Sequence, residues 1–150
     1  MILPDANVLV YALNEDAGEH HDSRAVVDAA LDGTLPGALV PQVLIEAYAV
    51  LTDARRIRTP LEPEVAWQEM NALRAGLRTF DLTPQVLDIL TGIIASRRPS
   101  GQDIFDALLV AQMRAHGIDI LCTYNVDDFR GYPGLTVESP PQTLARTGLR

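Results

Sequence analysis

Short apolar runs alternate along this chain with longer segments in which apolar residues recur every three or four positions. The short runs predict buried β-strands at residues 1–4, 38–40, 79–82, 118–122 and 135–137. The longer segments predict helices at residues 7–14, 23–31, 42–53, 64–76, 84–97 and 104–116. Strands that alternate with helices indicate βαβ units. We therefore expect an α/β fold of three layers, α/β/α, with a mainly parallel central sheet of about four to five strands.

Local signals place the ends of several elements. Asn7 is a plausible N-cap for the first helix, and Ser100 with Asp103 three residues later resembles a capping box. Gly117 is expected to end the helix that follows Asp103. We expect the whole chain, residues 1–150, to form one domain, with the Pro-rich end at residues 139–150 as a docked or frayed tail.

Composition narrows the class of protein. Hydrophobic residues make up 47% and charged residues 21% of the chain, which is typical of a soluble globular domain. No uncharged apolar run approaches the roughly 18 residues of a membrane span. We expect no secretory signal, because Asp5 precedes any basic residue. Cys122 is the only cysteine, so an internal disulfide is excluded. These features favour a cytoplasmic protein that does not bind membranes.

The net charge of −8 is unfavourable for a general nucleic-acid binder, since phosphate contacts need cations. All twelve basic residues are Arg. The absence of Lys excludes a P-loop, Schiff-base chemistry and a Ser-x-x-Lys nucleophile, and it argues against a receiver-like phosphoacceptor domain. The turn at residues 32–35 is similar to a phosphatase loop, but Ala30 stands where that loop needs an acid. His20 and His21 lack further ligands at metal-binding spacing and predict a surface loop.

Acidic and amide side chains recur where strands end. Asp5 follows the first strand, and Asn125 and Asp128 follow the fourth. The carboxyl ends of parallel strands lie at one edge of a sheet, and Glu46 and Asp106 are on helices that could pack beside it. Two carboxylates about 4 Å apart repel by about 4 kcal/mol at an effective dielectric near 20, so such a cluster needs protons or a cation. Oxygen ligands favour Mg²⁺ or Mn²⁺. Taken alone, Glu46 also fits a position at the edge of its apolar stripe that reaches water.

The ordered set of these residues resembles the PIN-domain nucleases, and in particular the VapC toxins of prokaryotic toxin–antitoxin pairs. The resemblance spans about residues 1–137. It rests on the following motifs: Asp5-x-Asn7, Pro41-x-x-x-x-Glu46, Asp106-Ala107-x-Leu109-x-Ala111, Gly117 and Thr123-x-Asn125-x-x-Asp128-Phe129.

The resemblance implies an endoribonuclease that depends on Mg²⁺ or Mn²⁺, forms a homodimer, acts on RNA and is silenced by a VapB-like antitoxin. An alternative is a PIN-like binding module with little or no catalysis, whose acidic pocket holds an Arg of a partner protein. The negative net charge of the chain and the Asn at position 125 motivate this second hypothesis.

The resemblance also implies roles for individual residues. Asp5 and Asp106 match metal-ligand aspartates, and Glu46 matches an acid that binds the metal directly or through water. Asn7 and Thr123 match the polar residues that accompany the first aspartate. The family's fourth acidic position falls at Asn125, which cannot carry a negative charge or act as a base. Asp128 is the alternative for that role, and the sequence leaves the choice open.

Overall fold

The computed structural model describes residues 1–149, and Arg150, the last residue of the predicted tail, lies outside the described residues. The strands are β1 (Ile2–Pro4), β2 (Ala38–Leu39), β3 (Arg78–Thr79), β4 (Ile120–Cys122) and β5 (Thr136–Glu138). The helices are α1 (Ala6–Leu13), α2 (His20–Leu31), α3 (Pro41–Leu51), α4 (Pro63–Gly76), α5 (Pro84–Arg97), α6 (Asp103–His116), α7 (Val126–Phe129) and α8 (Pro140–Thr147). Within residues 1–149, every helix is too short or too polar to cross a membrane.

All strand pairs are parallel, which confirms the predicted class of α/β fold. β1, β4 and β5 form one sheet in the order β1-β4-β5, and β2 pairs with β3 in a second, smaller sheet. A single parallel bridge between Ile2 and Gly37 joins the two sheets. The backbone N–H of Ile2 also donates to the carbonyl of Pro36 at 2.9 Å. The predicted strands therefore lie side by side, divided into groups of three and two.

The core lies around β1 and its two neighbours. Ile2, Leu3 and Leu121 are almost fully buried, as expected for parallel strands that are covered on both faces. Helix α1 follows β1 directly and packs against α2 and α3, while α5 packs against α6. Val8 and Leu9 of α1 are completely buried. The first thirteen residues are thus enclosed by the rest of the chain, which fixes the position of Asp5 between β1 and α1.

Two predicted helix caps are wrong. The N-cap of α1 is Asp5 and not Asn7, because the Asp5 carboxylate accepts a hydrogen bond from the N–H of Ala6 at 2.7 Å. The predicted capping box at Ser100 is also absent, since the N-cap of α6 is Gln102, two residues after Ser100, and Gln102 makes no side-chain cap bond. At α1, Asp5 and Asn7 are both suitable capping residues, and the position of the backbone decides between them.

The two adjacent histidines also differ from the prediction. His20 and His21 occupy the first turn of α2 and not a surface loop. The His20 ring nitrogen Nδ1 lies 2.9 Å from the carbonyl of Tyr11, so this histidine connects α2 to α1.

The end of the chain is a docked helix. Ser139 and Gln142 form a reciprocal capping box at the start of α8, and Leu144 is buried. Helix α8 packs against α2. Arg146 of this helix also pairs with Glu138 at 2.7 Å. Of the two predicted states, docked and frayed, the described part of the tail adopts the docked one.

Arg98 ends α5 in a left-handed conformation with φ of +52°, and it is the one non-glycine residue with positive φ among residues 1–149. Arg98→Gly should raise the free energy of unfolding by about 1 kcal/mol, because glycine adopts this conformation without steric cost. Ala95→Gly, inside the same helix, should lower it by about 1 kcal/mol. Urea denaturation of both variants checks this, and a destabilised Arg98→Gly protein would contradict it.

Candidate active site

Asp5 lies at the carboxyl end of β1 and is only 7% exposed. Its backbone N–H donates to the carbonyl of Cys122 on β4 at 2.9 Å. Its carboxylate accepts three hydrogen bonds, from the N–H of Ala6 at 2.7 Å, the amide of Asn7 at 3.0 Å and the hydroxyl of Thr123 at 2.7 Å. A buried carboxylate is costly without such donors, so these contacts hold it in one orientation.

The Thr123 hydroxyl connects Asp5 to its neighbouring residues through hydrogen bonds. Its hydroxyl oxygen accepts from the Asn7 amide at 3.0 Å and from the backbone N–H of Asn125 at 3.1 Å. The Asn7 side-chain oxygen accepts from the N–H of Tyr124 at 3.3 Å. The loop after β4 is therefore tied to the start of α1. The two residues that the family resemblance places beside Asp5 both contact its carboxylate.

Glu46 and Asp106 are partly buried on α3 and α6, and both lie within electrostatic range of Asp5. Burial, together with the charges of Asp128, Asp5 and Glu46, raises the pKa of Asp106 to about 6. Burial also raises the pKa of Glu46, against a hydrogen bond from Gln42 that lowers it, and the charge of Asp5 adds to the increase. Burial raises the pKa of Asp5 as well, with a smaller contribution from Asp128.

The structure thus places four of the five predicted site residues within electrostatic range of Asp5 or Asp106. We call Asp5, Glu46, Asp106 and Asp128 the acid cluster. Asp128 is exposed and acts on both Asp5 and Asp106 through its charge. Asn125 is also exposed, and it contacts the site through its backbone N–H. Of the two candidates for the fourth acidic position, Asp128 is the one that adds negative charge to the cluster.

The chemistry of the acid cluster suits a hard divalent cation. Its donors are all oxygen atoms, which Mg²⁺ and Mn²⁺ prefer. Burial raises the pKa of three of its members, and a bound cation would offset this cost of desolvating their charged forms. Within residues 1–149, no three His, Cys, Asp or Glu side chains are close enough together to form a ready-made metal cage. Mg²⁺ needs no such cage, since it commonly binds one or two carboxylates and keeps several waters.

Sequence reasoning missed two residues next to the cluster. The Gln42 side-chain amide donates to Glu46 Oε1 at 2.8 Å, and the amide of Gln112 donates to Gln42 Oε1 at 2.7 Å. Gln112 is 1% exposed. Gln42 precedes Glu46 by one helical turn, a spacing that could have suggested the contact. Gln112 is a polar residue within the apolar stripe of α6, which is a weaker signal.

Comparison with known proteins identifies the family of this fold. A PIN domain model matches residues 2–135, and the chain belongs to the PIN domain family. Ribonuclease VapC24 of Mycobacterium tuberculosis is 30% identical over 133 residues, covering 88% of this chain and 91% of the relative. Ribonuclease VapC43 of the same species is 33% identical over 113 residues, covering 74% of this chain and 77% of the relative.

Solved structures share the fold at lower identity. The VapBC2 structure from Rickettsia felis, which was determined bound to a promoter DNA fragment, contains a chain with a TM-score of 0.65 and 18% identity to this one. The match covers 93% of this chain and 98% of that chain. The resemblance to PIN domains and to VapC proteins is therefore confirmed, both by sequence relatives and by structure.

The acid cluster predicts how stability depends on pH when no metal is bound. The raised pKa of Asp106, about 6, means that the folded chain holds a proton which the unfolded chain has already lost above about pH 4. The free energy of unfolding should therefore fall across this range as pH rises. Asp106→Asn should stabilise the protein increasingly between pH 4 and 7, by on the order of 1 kcal/mol after allowing for partial exposure.

Thermal unfolding of metal-free protein in EDTA at several pH values measures this difference. Asp88→Asn, at an exposed position on α5, removes the same formal charge outside the cluster and is the matched control. An increase in stability for Asp106→Asn that does not depend on pH would contradict the raised pKa of Asp106 in the folded chain.

Proposed function

We propose that this chain is an endoribonuclease toxin of the VapC type, which hydrolyses RNA phosphodiester bonds and depends on Mg²⁺ or Mn²⁺. The observation that carries the proposal is the gathering of buried and partly buried carboxylates around Asp5, with the pKa of Asp106 raised to about 6. The names of its relatives, ribonucleases VapC24 and VapC43, support the same class of reaction.

We assign metal binding to Asp5 and Asp106, with Glu46 as a ligand either directly or through water. Bound there, Mg²⁺ or Mn²⁺ would supply a Lewis acid for the phosphodiester and lower the pKa of a coordinated water. Thr123, Asn7 and the N–H of Ala6 hold the Asp5 carboxylate in place, so that its remaining lone pair, on Oδ1, keeps one direction. This preorganisation avoids the cost of ordering a mobile carboxylate when the cation binds.

The fourth position is assigned to Asp128. Its carboxylate would be able to accept a proton or a hydrogen bond from an attacking water, whereas the Asn125 side chain can only form neutral hydrogen bonds. The exposure of Asp128 leaves it accessible to RNA at the rim of the acid cluster. We propose that Asn125 contacts the substrate and does not take part in proton transfer.

The proposed partners are RNA, a VapB-like antitoxin and a second copy of the chain. The structural relatives include VapBC assemblies, which supports an antitoxin. An antitoxin Arg would find complementary charge in the acid cluster. Support for a homodimer comes from α3 and α4, where the exposed side chains of Ile45 and Trp67 line a cavity of about 560 Å³. We propose the cytoplasm as the site of action.

A second candidate function is a binding module that captures a partner's Arg without cutting RNA. Asn125, at the place of the family's fourth acid, favours it, because the loss of one carboxylate there could weaken metal binding. The two functions differ in metal dependence. A module of this kind would bind its partner equally well in EDTA, and isothermal titration calorimetry would show no binding of Mn²⁺.

Asp5→Asn and Asp106→Asn should each lower RNA cleavage in Mn²⁺ by more than about 100-fold, because loss of even an indirect metal contact typically costs 10–100-fold. Circular dichroism should stay unchanged, since Asn keeps the size of Asp. Cleavage of a labelled RNA measures the effect, and Asp88→Asn is the control for lost charge. Equal activity in the wild type and both site variants would remove the proposed site and indicate a contaminating nuclease.

A further inference from the structure

The two glutamines beside the acid cluster form a continuous chain of hydrogen bonds from the core to Glu46. We call Gln42 and Gln112 the amide pair. The side-chain nitrogen of Gln42, Nε2, donates both to Glu46 Oε1 at 2.8 Å and to the carbonyl of Phe105 at 2.9 Å. This uses both N–H groups of the Gln42 amide. The remaining oxygen of Gln42 accepts from Gln112 at 2.7 Å.

The direction of the amide pair is fixed by its surroundings. The carbonyls of Phe105 and Leu108 can only accept, so the Nε2 atoms of Gln42 and Gln112 must face them. Gln112 Nε2 then has one N–H for Leu108, at 3.4 Å, and one for Gln42. A flipped Gln42 amide would set its oxygen against both the Phe105 carbonyl and the Glu46 carboxylate. The pair therefore presents a donor to Glu46 in its only satisfied arrangement.

The Phe105 carbonyl, which accepts a hydrogen bond from Gln42, lies next to a second acid. Phe105 directly precedes Asp106 on α6, so Gln42 links the Glu46 carboxylate to the peptide group that leads into Asp106. Glu46 belongs to α3, so this hydrogen bond ties its carboxylate to the backbone of α6. One side chain thus connects Glu46 with the peptide group next to Asp106.

Packing alone does not account for Gln112. Its side chain is 1% exposed on a helix where Val110, Ala111 and Met113 are completely buried. An apolar side chain of similar length would fill this place without the desolvation cost of an amide. The amide contributes what an apolar side chain cannot, a donor that holds the oxygen of Gln42 and so leaves the Gln42 N–H groups aimed at Glu46 and Phe105.

We propose that Gln42 and Gln112 are positioning residues, which hold the Glu46 carboxylate at a set distance from Asp106 so that both acids face one divalent cation. This inference rests on the proposed metal-dependent function. Hydrogen-bond partners of metal ligands typically change metal affinity by 10–100-fold when they are removed. We therefore expect the amide pair to affect metal affinity first, and RNA cleavage as a consequence.

The direct test is Mn²⁺ binding to the full chain without RNA, followed by electron paramagnetic resonance of free Mn²⁺. Gln42→Leu should raise the dissociation constant about 10-fold, because Glu46 loses its donor. Gln68→Leu, at an exposed position on α4, should leave it unchanged. In a Glu46→Gln background, Gln42→Leu should have no further effect, since the carboxylate through which it acts is gone.

A second variant tests the buried member of the amide pair. Gln112→Met keeps the volume and removes the donor to Gln42, so it should weaken Mn²⁺ binding by a smaller factor than Gln42→Leu. The double variant should bind no more weakly than Gln42→Leu alone. If Gln112→Met does not fold, the partly exposed Gln42 still decides the question through its own variant.

Measurements of RNA cleavage distinguish a variant that misplaces Glu46 from a variant with a damaged fold. If the amide pair acts through the metal, excess Mn²⁺ should restore the kcat of Gln42→Leu to near the wild-type value, which it would not do for a damaged fold. If Gln42→Leu binds Mn²⁺ as tightly as the wild type, or loses as much affinity in the Glu46→Gln background as in the wild type, the positioning role is wrong. The proposed function would be unaffected by that result. A wild-type chain that binds no Mn²⁺ and cuts no RNA would overturn the proposed function and this inference with it.

Discussion

The rest of the structure depends on one buried negative charge, the carboxylate of Asp5. In the parallel register of β1 and β4, Pro4 lies opposite Cys122, so the next residues in each strand direction, Asp5 and Thr123, are neighbours. That register supplies the hydroxyl which a buried carboxylate requires, and the start of α1 supplies the N–H of Ala6. Strand pairing, helix initiation and the site are therefore set by the same few contacts.

Around Asp5 the fold places further acids that are partly buried. Hydrogen bonds stabilise Asp5, but Asp106 and Glu46 remain partly desolvated and repel it, which raises their pKa values. This arrangement lowers the stability of the folded chain at neutral pH, and the proposed divalent cation would offset that cost. In a chain with a net charge of −8, the same cation would supply positive charge at the place where the proposed function requires the phosphodiester to bind.

Much of this was predictable from the sequence, because the signals were local. An apolar run followed by Asp5 marks the end of a buried strand, and helical periodicity puts further acids beside apolar stripes. The choice of Asp5 over Asn7 as the helix cap was not predictable, since both are good capping residues and only the final backbone position decides between them. The contact between Gln42 and Gln112 joins helices 70 positions apart, and no local pattern encodes such packing.

The central claim is that Asp5, Glu46 and Asp106 share one divalent cation. A crystal structure of the wild-type chain grown with Mn²⁺, with an anomalous-difference map recorded at the manganese edge, tests this most directly. We expect a strong peak between Asp5 and Asp106, with Glu46 in contact directly or through one water. A map without a peak at these residues at saturating Mn²⁺, or with manganese bound only elsewhere, would contradict it.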